Sequence, residues 1–286
     1  MPIGASTRRR PAWPRASSRS ERRVSFEHQT ETLRTEALTL DYFLVPWDTK
    51  IFGVPVAQIA DLRVLEPKQA ARDYERFVEW CTEKQVAFCA CRLPAERLAD
   101  SMFLEDHGFR FVELNYLPQL TGLQELRTGD EGIEVVPAAE GDRAALKDMA
   151  THTFRHGRFH QDPRIDPRLG DRRYGVWLDN AFVSAHQRVL KCSLDGQLVG
   201  FFVVENREQG HCYWSLNGLA PGLGGRGLGK RVWRAMLHWH RAEGAHTVST
   251  SISSHNIAVL NLYVALGFRF PEPTITLQWC PAGRLG

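Results

Sequence analysis

The sequence predicts an α/β protein built from two related halves. Short apolar runs of strand length alternate with amphipathic segments of helix length from Leu38 onward. In the second half, a glycine-rich loop at 222–229 connects a predicted strand to a predicted helix. The order helix, strand, helix and strand, with a shared Gly-Phe-Arg-Phe motif, occurs in both halves. Alternation of this kind is typical of sheets that are covered by helices.

The N-terminal segment 1–35 is rich in Arg, Ser, Thr and Pro and poor in apolar residues. It buries too little apolar surface to offset the entropy of ordering, so we predict a disordered basic tail. Residues 1–25 hold seven Arg and one Glu, a charge of +6, which leaves about −3 on the rest of a chain with net charge +3. Arg8–Arg10 lack the hydrophobic stretch that follows in an export signal. A transit peptide or a weak nucleic-acid-binding arm stays an alternative for this tail.

Residues 36–122 are predicted to form a first domain. The spacing of Cys89 and Cys91 in a predicted strand puts both on one face, as small core residues. The predicted elements are strands at Leu38–Val45, Val54–Val64, Val86–Arg92 and Phe109–Leu120, helices at Pro67–Lys84 and Ala95–His107, and a turn-rich junction at Pro46–Gly53.

Residues 123–132 are predicted to be a linker, and 133–286 a second domain. Asp195-Gly196 between two apolar runs predicts a tight hairpin turn. The predicted elements are strands at Ile133–Val136, Gln187–Leu194, Gln197–Glu205, His211–Leu219, Thr247–Ile252 and Thr274–Trp279, and helices at Glu140–Thr153, from Leu228 to near Gly244, and from near Asn256 to Leu266.

An internal repeat relates the two halves at a shift of 159 residues. Under this shift Trp80 aligns with Trp239, and Gly108–Phe111 aligns with Gly267–Phe270. Glu113 and Gln119 align with further identical residues, Glu272 and Gln278. One ungapped register over about 40 residues indicates that the first half is a partial copy of the second.

The glycine loop is the clearest functional signal. Four glycines, Gly224, Gly225, Gly227 and Gly229, lie where a strand passes into a helix. Such a loop directs unpaired backbone N–H groups and the positive end of the helix dipole at one point, and glycines let an anion approach. A dinucleotide-binding fingerprint does not match, and Lys230-Arg231 lacks the hydroxyl residue of a P-loop. The loop therefore predicts a phosphate-bearing ligand of another class.

The spacing Gly224-x-x-Gly227-x-Gly229, followed by Asn256, Tyr263 and Gly267-Phe268, resembles the GCN5-related N-acetyltransferase (GNAT) superfamily, which binds acetyl-coenzyme A. The match covers roughly residues 132–280. One position departs from the family pattern, since Gly224 stands where the family has Gln or Arg, although Arg226 can offer the cation. The resemblance implies a mixed, splayed sheet flanked by helices, preceded here by a degenerate partial copy. That copy has Leu104 in place of Tyr263 and Arg97 in place of Asn256, and no glycine loop, so we expect it to lack a cofactor site.

The resemblance also implies the roles of the site residues. The pantetheine arm is expected between the strands His211–Leu219 and Thr247–Ile252, with a backbone N–H near Asn217 or Leu219 polarising the thioester. Asn256 is expected either to cap its helix or to hold the cofactor. Tyr263 is the candidate general acid for the leaving thiol, because a phenol stays protonated at pH 7. The expected diphosphate cradle comprises Leu223, Gly224, Gly225, Arg226, Gly227, Leu228, Gly229 and Lys230.

A general base is less clearly indicated. Glu205 closes one predicted strand near the site and His211 begins the next, so either can relay a proton through water. We predict no metal site, because the six Cys show no paired ligand spacing.

The stretch Phe154–Ser184 is the predicted acceptor side, because cations and aromatics alternate in it. Cations beside aromatic rings suit an anionic acceptor such as a nucleotide diphosphate. A solvated, Arg-rich connecting segment is the structural alternative. The residues predicted to bind the acceptor are Arg158, His160, Tyr174 and Trp177, with Asn217 on the neighbouring strand.

Three short motifs resemble the bacterial TDP-fucosamine acetyltransferase family, which acetylates a 4-amino group on a nucleotide-linked sugar for surface polysaccharides. They are Arg158-Phe159, Tyr174-x-x-Trp177-Leu-Asp-Asn180-Ala181, and Trp47-Asp48-x-x-x-Phe52-Gly53. The alternatives are an acetyltransferase for a protein, an aminoglycoside or a natural-product amine, and a non-catalytic acyl-coenzyme A-binding regulator.

Bulk composition limits the partners. No apolar run approaches the length of a membrane span, and the near-neutral folded part argues against nucleic-acid binding. Scattered cysteines without a disulfide framework predict a reducing cytoplasm. An exposed strand at the chain end leaves a homodimer open.

Overall fold

The computed structural model describes residues 29–126, 131–225, 227–281 and 285. Most of the predicted tail lies outside these residues, as do 127–130 of the predicted linker. The tail prediction is wrong at its end, because Glu31–Arg34 forms strand β1. Leu33 there is buried in the core, and Thr32 and Arg34 hydrogen bond to Asp41 on the next strand. The linker prediction is also corrected at Leu123, which is fully buried and donates its N–H to His246.

Helices and strands alternate along most of the chain. The strands are β1 Glu31–Arg34, β2 Leu38–Leu44, β3 Val56–Val64, β4 Phe88–Pro94, β5 Arg110–Tyr116, β6 Gln119–Thr121, β7 Glu134–Pro137, β8 Gln187–Leu194, β9 Gln197–Asn206, β10 His211–Leu219, β11 Thr247–Thr250, β12 Ile252–Ser253 and β13 Thr274–Trp279. The helices are α1 Pro46–Phe52, α2 Pro67–Glu83, α3 Leu98–Asp106, α4 Arg143–Thr153, α5 Arg158–Gln161, α6 Pro167–Val183, α7 Leu228–Ala242 and α8 Ile257–Ala265.

Two local predictions are corrected. The junction predicted as turns is helix α1, which begins at Pro46 and ends at Gly53 with φ of 74°. Proline suits the first helical position because its missing N–H has no partner there, and glycine tolerates a left-handed end. The single strand predicted at Phe109–Leu120 is two strands, β5 and β6, divided at Pro118. Proline cannot donate a ladder hydrogen bond, so the chain leaves one sheet there and enters another.

The strands form two sheets. A seven-stranded sheet has the order β1-β2-β3-β4-β13-β5-β12, and a six-stranded sheet has the order β6-β11-β10-β9-β8-β7. Helices α2 and α3 supply Tyr74, Phe77 and Phe103 to the core on one face of the first sheet. Cys89 and Cys91 lie in that core, as predicted. Helices α7 and α8 cover one face of the second sheet, and α4 and α6 cover the other.

The two sheets exchange strands. Strand β13, near the end of the chain, lies between β4 and β5 of the first sheet, and pairs antiparallel with both. Strand β6, from the first half, pairs with β11 of the second sheet. Thr274–Trp279 is a strand as predicted, but it completes the first sheet instead of closing the second. The predicted linker at 123–132 therefore does not divide the chain into two independent sheets, because each half contributes a strand to the sheet of the other.

Strands β10 and β11 diverge. They pair in parallel from His211 opposite Thr247 to Trp214 opposite Thr250, and no further. Beyond that point β10 continues along β9 after an irregularity between Trp214 and Leu216. Strand β12 meanwhile joins the first sheet by pairing with β5. A gap therefore opens between two strands that are neighbours at their other ends.

His240 anchors α7 to this sheet without a charge. The ring is fully buried, and its Nε2 accepts a hydrogen bond from the indole N–H of Trp214 at 2.8 Å. Burial lowers the pKa of His240 from 6.5 to about 3. Between those pH values the unfolded chain binds a proton that the folded chain does not, so this contribution to stability is complete above pH 6.5 and lost as pH falls toward 3.

We expect acid to destabilise the protein through this residue. From pH 7.5 to pH 5.0, His240 alone lowers the free energy of unfolding by about 2 kcal/mol, and His240→Gln removes that dependence although it also weakens packing at every pH. Urea unfolding of both proteins at the two pH values measures the difference. The exposed His186→Gln is the control and keeps the wild-type dependence. An unchanged pH dependence in His240→Gln contradicts the assignment.

Candidate active site

A cavity of about 660 Å³ lies between the two sheets, at the gap between β10 and β11. This volume is in the range that holds a small-molecule ligand. The end of β10, the loop after it and helix α8 form one side, and the segment 152–159 with helix α6 forms another. The first sheet closes the cavity with side chains from β3, β4 and β5. Both halves of the chain therefore build one cavity.

The glycine loop has the geometry of an anion cradle. Gly222, Gly225 and Gly227 have φ of 81°, 80° and 74°, a region that favours glycine. A Cβ added at Gly224, Gly225 or Gly227 meets no atom within 4 Å, so the space beside the main chain is open. Gly227 precedes α7 and no side chain caps the helix there. The free N–H groups of the first turn and the helix dipole therefore suit a diphosphate.

The predicted cradle residues differ in what they can offer. The prediction that Leu223 donates its main-chain N–H to the diphosphate is corrected, because that N–H already donates to the carbonyl of Ala220 at 3.2 Å. Leu228, Gly229 and Lys230 form the first turn of α7, where N–H groups have no helical partner. Arg226 lies outside the described residues.

Leu219 ends strand β10 on the wall of the cavity. Its carbonyl accepts a hydrogen bond from the Thr153 hydroxyl at 3.0 Å, which ties α4 to the end of this strand. Asn217, two residues earlier, lines the same wall. Both residues predicted beside the thioester are thus at the cavity.

Tyr263 lies at the closed end of the gap. Its ring is buried against Phe268, with centroids 4.8 Å apart, and its hydroxyl donates to Asn217 Oδ1 at 3.3 Å. Burial raises the pKa of Tyr263 to about 12, so the phenol stays protonated at neutral pH. The indole N–H of Trp233 is also buried at this cavity. It meets no partner at full hydrogen-bond geometry among the described residues, but it lies close enough to the Tyr263 hydroxyl to oppose the rise in that group's pKa. The Tyr263 hydroxyl and the Trp233 N–H therefore lie side by side at the cavity.

Asn256 caps helix α8. Its Oδ1 accepts a hydrogen bond from the N–H of Val259 at 3.3 Å, so the capping alternative describes this residue. Because it also lines the cavity, the cap fixes the helix that carries Tyr263 beside the site.

Neither predicted base lines the cavity. Glu205 is corrected because its carboxylate accepts a hydrogen bond from Gln187 at 2.7 Å on the neighbouring strand and lies 3.9 Å from Arg207. His211 contacts the Ser249 hydroxyl at 2.6 Å, and burial lowers the pKa of its ring. Both residues lie near the start of β10, whereas the cavity lies at its other end.

Two arginines lie on the predicted acceptor side. Arg173 donates from Nε to the buried Asp48 Oδ1 at 2.7 Å. The guanidinium of Arg158 lies 4.6 Å from the Phe159 ring, and no described carboxylate lies within ion-pair distance of it. Burial, with the neighbouring guanidiniums of Arg92 and Arg173, lowers the pKa of Arg158 to about 10. Arg158 is thus a charged side chain at the cavity whose charge has no fixed partner.

The Trp47-Asp48-x-x-x-Phe52-Gly53 motif supports these arginines from helix α1. Asp48 holds Arg173, and the ring of Phe52 meets that of Phe159 edge-on at 5.2 Å. Phe159 in turn lies beneath both guanidiniums, at 4.6 Å from Arg158 and 5.2 Å from Arg173. The motif therefore holds Arg173 and Phe159 in place on the predicted acceptor side, although it lies far away in sequence.

The predicted aromatic residues divide in two. Tyr174 and Trp177 line the cavity in a nearly parallel pair, with Phe154 stacked on Tyr174 at 4.3 Å. His160 is corrected as an acceptor ligand, because it packs behind Tyr174 and pairs with Asp171 at 3.0 Å. Its ring fills the space that Gly170 leaves open by lacking a Cβ.

Sequence reasoning missed Arg92, Glu113 and Asn115, which reach the cavity from the first sheet. From the sequence, Arg92 is placed only at the end of a predicted strand and Glu113 only at an aligned position of the repeat. The available signal is the pair Glu113 and Asn115 at alternate positions of β5, since alternation indicates a face turned away from the core.

The corresponding place in the first half is closed. Only Leu65 and Glu66 separate β3 from α2, where the second half has its glycine loop. Arg97 pairs with Asp61 at 2.8 Å and with Asp100 at 2.7 Å, and Asp100 accepts the N–H of Val64. These contacts support the proposal that the first half holds no cofactor.

Residues 143–268 match the model of the acetyltransferase (GNAT) family. The second half of this chain therefore has the GNAT fold. The chain is 19% identical over 222 residues to the spore coat polysaccharide biosynthesis protein SpsD of Bacillus subtilis (strain 168), covering 78% of this chain and 76% of that protein. It is 32% identical over 107 residues to the mycothiol acetyltransferase of Streptomyces avermitilis, covering 36% of this chain but only 32% of that relative.

The fold has relatives among solved structures as well. A tandem GNAT protein from the clavulanic acid biosynthesis pathway superposes with a TM-score of 0.57 at 14% identity, over 86% of this chain and 80% of that one. Together these likenesses establish an acetyl-coenzyme A-dependent acetyltransferase with a GNAT fold. In the part of the chain that is described, no helix has the length and apolar character to span a membrane.

The cradle yields a direct prediction. Gly225→Ala puts a side chain at φ of 80°, which costs about 1–2 kcal/mol and shifts the loop that holds the diphosphate, so we expect the Kd for acetyl-coenzyme A to rise about tenfold. Isothermal titration calorimetry measures it. Gly196→Ala is the matched control, because Gly196 has φ of 77° and open space in a remote hairpin. Equal effects from the two variants contradict the cradle.

Proposed function

We propose that this enzyme transfers the acetyl group of acetyl-coenzyme A to the amino group of a nucleotide-linked amino sugar. The observation that carries the proposal is Arg158, a cation on the cavity wall without a carboxylate partner among the described residues. A half-buried guanidinium without a counter-charge is costly to desolvate, and an anionic ligand relieves that cost.

The surroundings of Arg158 suit a diphosphate. Arg92, Arg155 and Arg173 line the same cavity, beside the aromatic pair Tyr174 and Trp177. Arg155 and Arg173 already hold carboxylates, Asp171 and Asp48 respectively. The arrangement leaves Arg158 as the cation with the most binding capacity, and the paired arginines add a positive field around it.

One of the two curated relatives supports this acceptor class. SpsD bears a name from spore coat polysaccharide biosynthesis, and the likeness to it extends over most of both chains. Polysaccharides are assembled from activated sugars, so an amino-sugar acceptor fits that name. The likeness to mycothiol acetyltransferase, confined to 107 residues, favours a second candidate, a small amine without a diphosphate.

Tyr263 is the proposed general acid. Acetyl-coenzyme A supplies the acetyl group and the thiol that leaves. Asn217 holds the Tyr263 hydroxyl at the cavity, and the high pKa keeps its proton in place until a thiolate forms beside it. The phenol of Tyr263, with a pKa of about 12, is a weaker acid than a thiol, whose pKa is about 8.5. Proton transfer from the phenol to the leaving thiolate therefore needs the two groups to be in close contact. The Trp233 N–H, beside the Tyr263 hydroxyl, can stabilise the same developing charge.

The reaction is placed in the cytoplasm as part of the same proposal. All six cysteines are free and buried in the structure, and the two in β4 are packed in the first core. Free thiols in both halves fit a reducing compartment, in which acetyl-coenzyme A and activated sugars are available together.

Arg158→Gln tests the acceptor class. We expect the KM for a nucleotide amino sugar to rise about 100-fold, with the KM for acetyl-coenzyme A unchanged, because a charge-assisted contact is lost on the acceptor side only. Thiol release with a panel of 3-amino and 4-amino nucleotide sugars, and with simple amines, measures both constants. Arg168→Gln is the control, since Arg168 belongs to the same arginine-rich stretch but its side chain is 84% exposed. Turnover of simple amines alone, insensitive to Arg158→Gln, favours the second candidate.

Tyr263→Phe tests the acid. We expect kcat to fall about 100-fold or more while the Kd for acetyl-coenzyme A stays within twofold, because only the proton donor is removed. In the wild-type enzyme, the raised pKa of Tyr263 predicts that loss of its proton does not lower kcat below pH 10. Tyr116→Phe, outside the cavity, serves as the control. Unchanged turnover in Tyr263→Phe excludes the acid role.

A further inference from the structure

We propose that Glu113, on β5 of the first half, receives the acceptor's amine and takes its proton. The inference rests on the proposed function only in requiring an amine acceptor, and it holds for a nucleotide sugar or for a smaller amine. It assigns a catalytic task to the half of the chain that lacks a cofactor site.

Glu113 belongs to a row of three side chains across the first sheet. Thr276 on β13 lies opposite Arg92 on β4 and opposite Glu113 on β5. Arg92 donates from Nε to the Thr276 hydroxyl at 3.2 Å, and its Nη2 lies 3.5 Å from Glu113 Oε1. Both charged residues line the cavity. The row therefore turns one carboxylate and one guanidinium toward the acceptor.

The carboxylate of Glu113 is only half satisfied. The residue is 2% exposed, and its Oε2 has no hydrogen-bond partner among the described residues. The contact of Oε1 with Arg92 is long and single, far from the bidentate geometry that stabilises such pairs. A buried carboxylate oxygen without a donor carries a substantial desolvation cost. An amine that enters the cavity supplies the missing N–H.

The arginines around Glu113 disfavour an ammonium ion at this place in the cavity. Arg92, Arg158 and Arg173 lie close enough to influence one another, and they disfavour another cation beside them. Asp48 is occupied by Arg173, so Glu113 is the cavity carboxylate with a free oxygen among the residues described. In the proposed step an N–H bond of the bound ammonium breaks, its electron pair stays on nitrogen, and an O–H bond forms at Glu113 Oε2. The neutral amine is then a nucleophile.

Asn115 extends the same face of β5. It is 4% exposed, lines the cavity, and its Nδ2 also has no partner within the described chain. Two residues apart on one strand, Glu113 and Asn115 offer an acceptor and a donor side by side. A hydroxyl near the acceptor's amine can accept from Asn115 while the amine donates to Glu113.

Glu113→Gln tests the proposal with two readouts. We expect kcat/KM for the amine to fall about 100-fold while the Kd for acetyl-coenzyme A changes less than twofold. We also expect the Tm of the ligand-free protein to stay level or rise by a few degrees, because the change removes a poorly paired buried charge. Glu205→Gln, the same substitution at a carboxylate outside the cavity, leaves kcat/KM at the wild-type value.

Each other result overturns the assignment. Unchanged kcat/KM in Glu113→Gln means that the carboxylate takes no proton, and a Tm lowered by several degrees, or a failure to fold, means that its pair with Arg92 is structural. The amine used is the panel member with the highest wild-type kcat/KM. If a simple amine reacts and the nucleotide sugars do not, the proposed acceptor class is wrong. The Glu113 measurement is then made with the simple amine and still tests the proton transfer. The Tm comparison needs no acceptor at all.

Discussion

The insertion of β13 between β4 and β5 is the constraint on which the architecture depends. Without it, two central strands of the first sheet present unpaired N–H and C=O groups to each other across a gap. The strand that fills the gap comes from the end of the chain, after α8 has supplied Tyr263 to the cavity. In return, β6 of the first half completes the edge of the second sheet. Neither sheet can form fully without the other half.

This exchange gives the first half a place in the cavity of the second. Both sheets are held at fixed positions, so the polar face of the first sheet becomes a permanent wall of the cavity in the second. The other face of β4 is core, as Cys89 and Cys91 show. Helix α1 adds Asp48 and Phe52, which hold the acceptor-side arginine and its aromatic support. In the first half, Arg97 is paired with Asp61 and Asp100 at the place that corresponds to Asn256, while Arg92 and Glu113 line the cavity of the second half.

What the sequence can predict follows from whether a feature is local. The glycine loop, the hairpin at Asp195-Gly196 and the cap at Asn256 depend on neighbouring residues, and their positions were predicted closely. The prediction for Leu223 does not hold because its N–H donates to the carbonyl of Ala220 in a turn, and residue propensities do not reveal that hydrogen bond. The break at Pro118 is itself a local feature, since a proline cannot donate a ladder hydrogen bond.

Features that depend on distant pairing were beyond reach. The approach of Arg92 to Glu113 requires the register of β13, which begins about 160 residues later in the chain. The same holds for Asp48 and Arg173, which are 125 residues apart. Glu205 and His211 were chosen as bases because they flank the strand that leads to the loop, and nearness in sequence does not say which end of a strand faces a cavity. Alternation of polar residues in β5 indicates a second functional face only when the sheet behind it is known.

The distribution of unpaired polar atoms connects these points. Buried polar groups in folded proteins almost always find partners, so exceptions indicate either a cost accepted for function or a ligand that completes the bonding. Seven such side-chain atoms occur among the described residues, and three of them belong to residues that line the cavity, Glu113, Asn115 and Trp233. Two come from the first sheet and one from α7, on opposite sides of the same space. If stability were the only requirement, apolar groups at these positions would make the fold more stable. A protein that binds a thioester donor and an amine acceptor needs a hydrogen-bonding group for each of them.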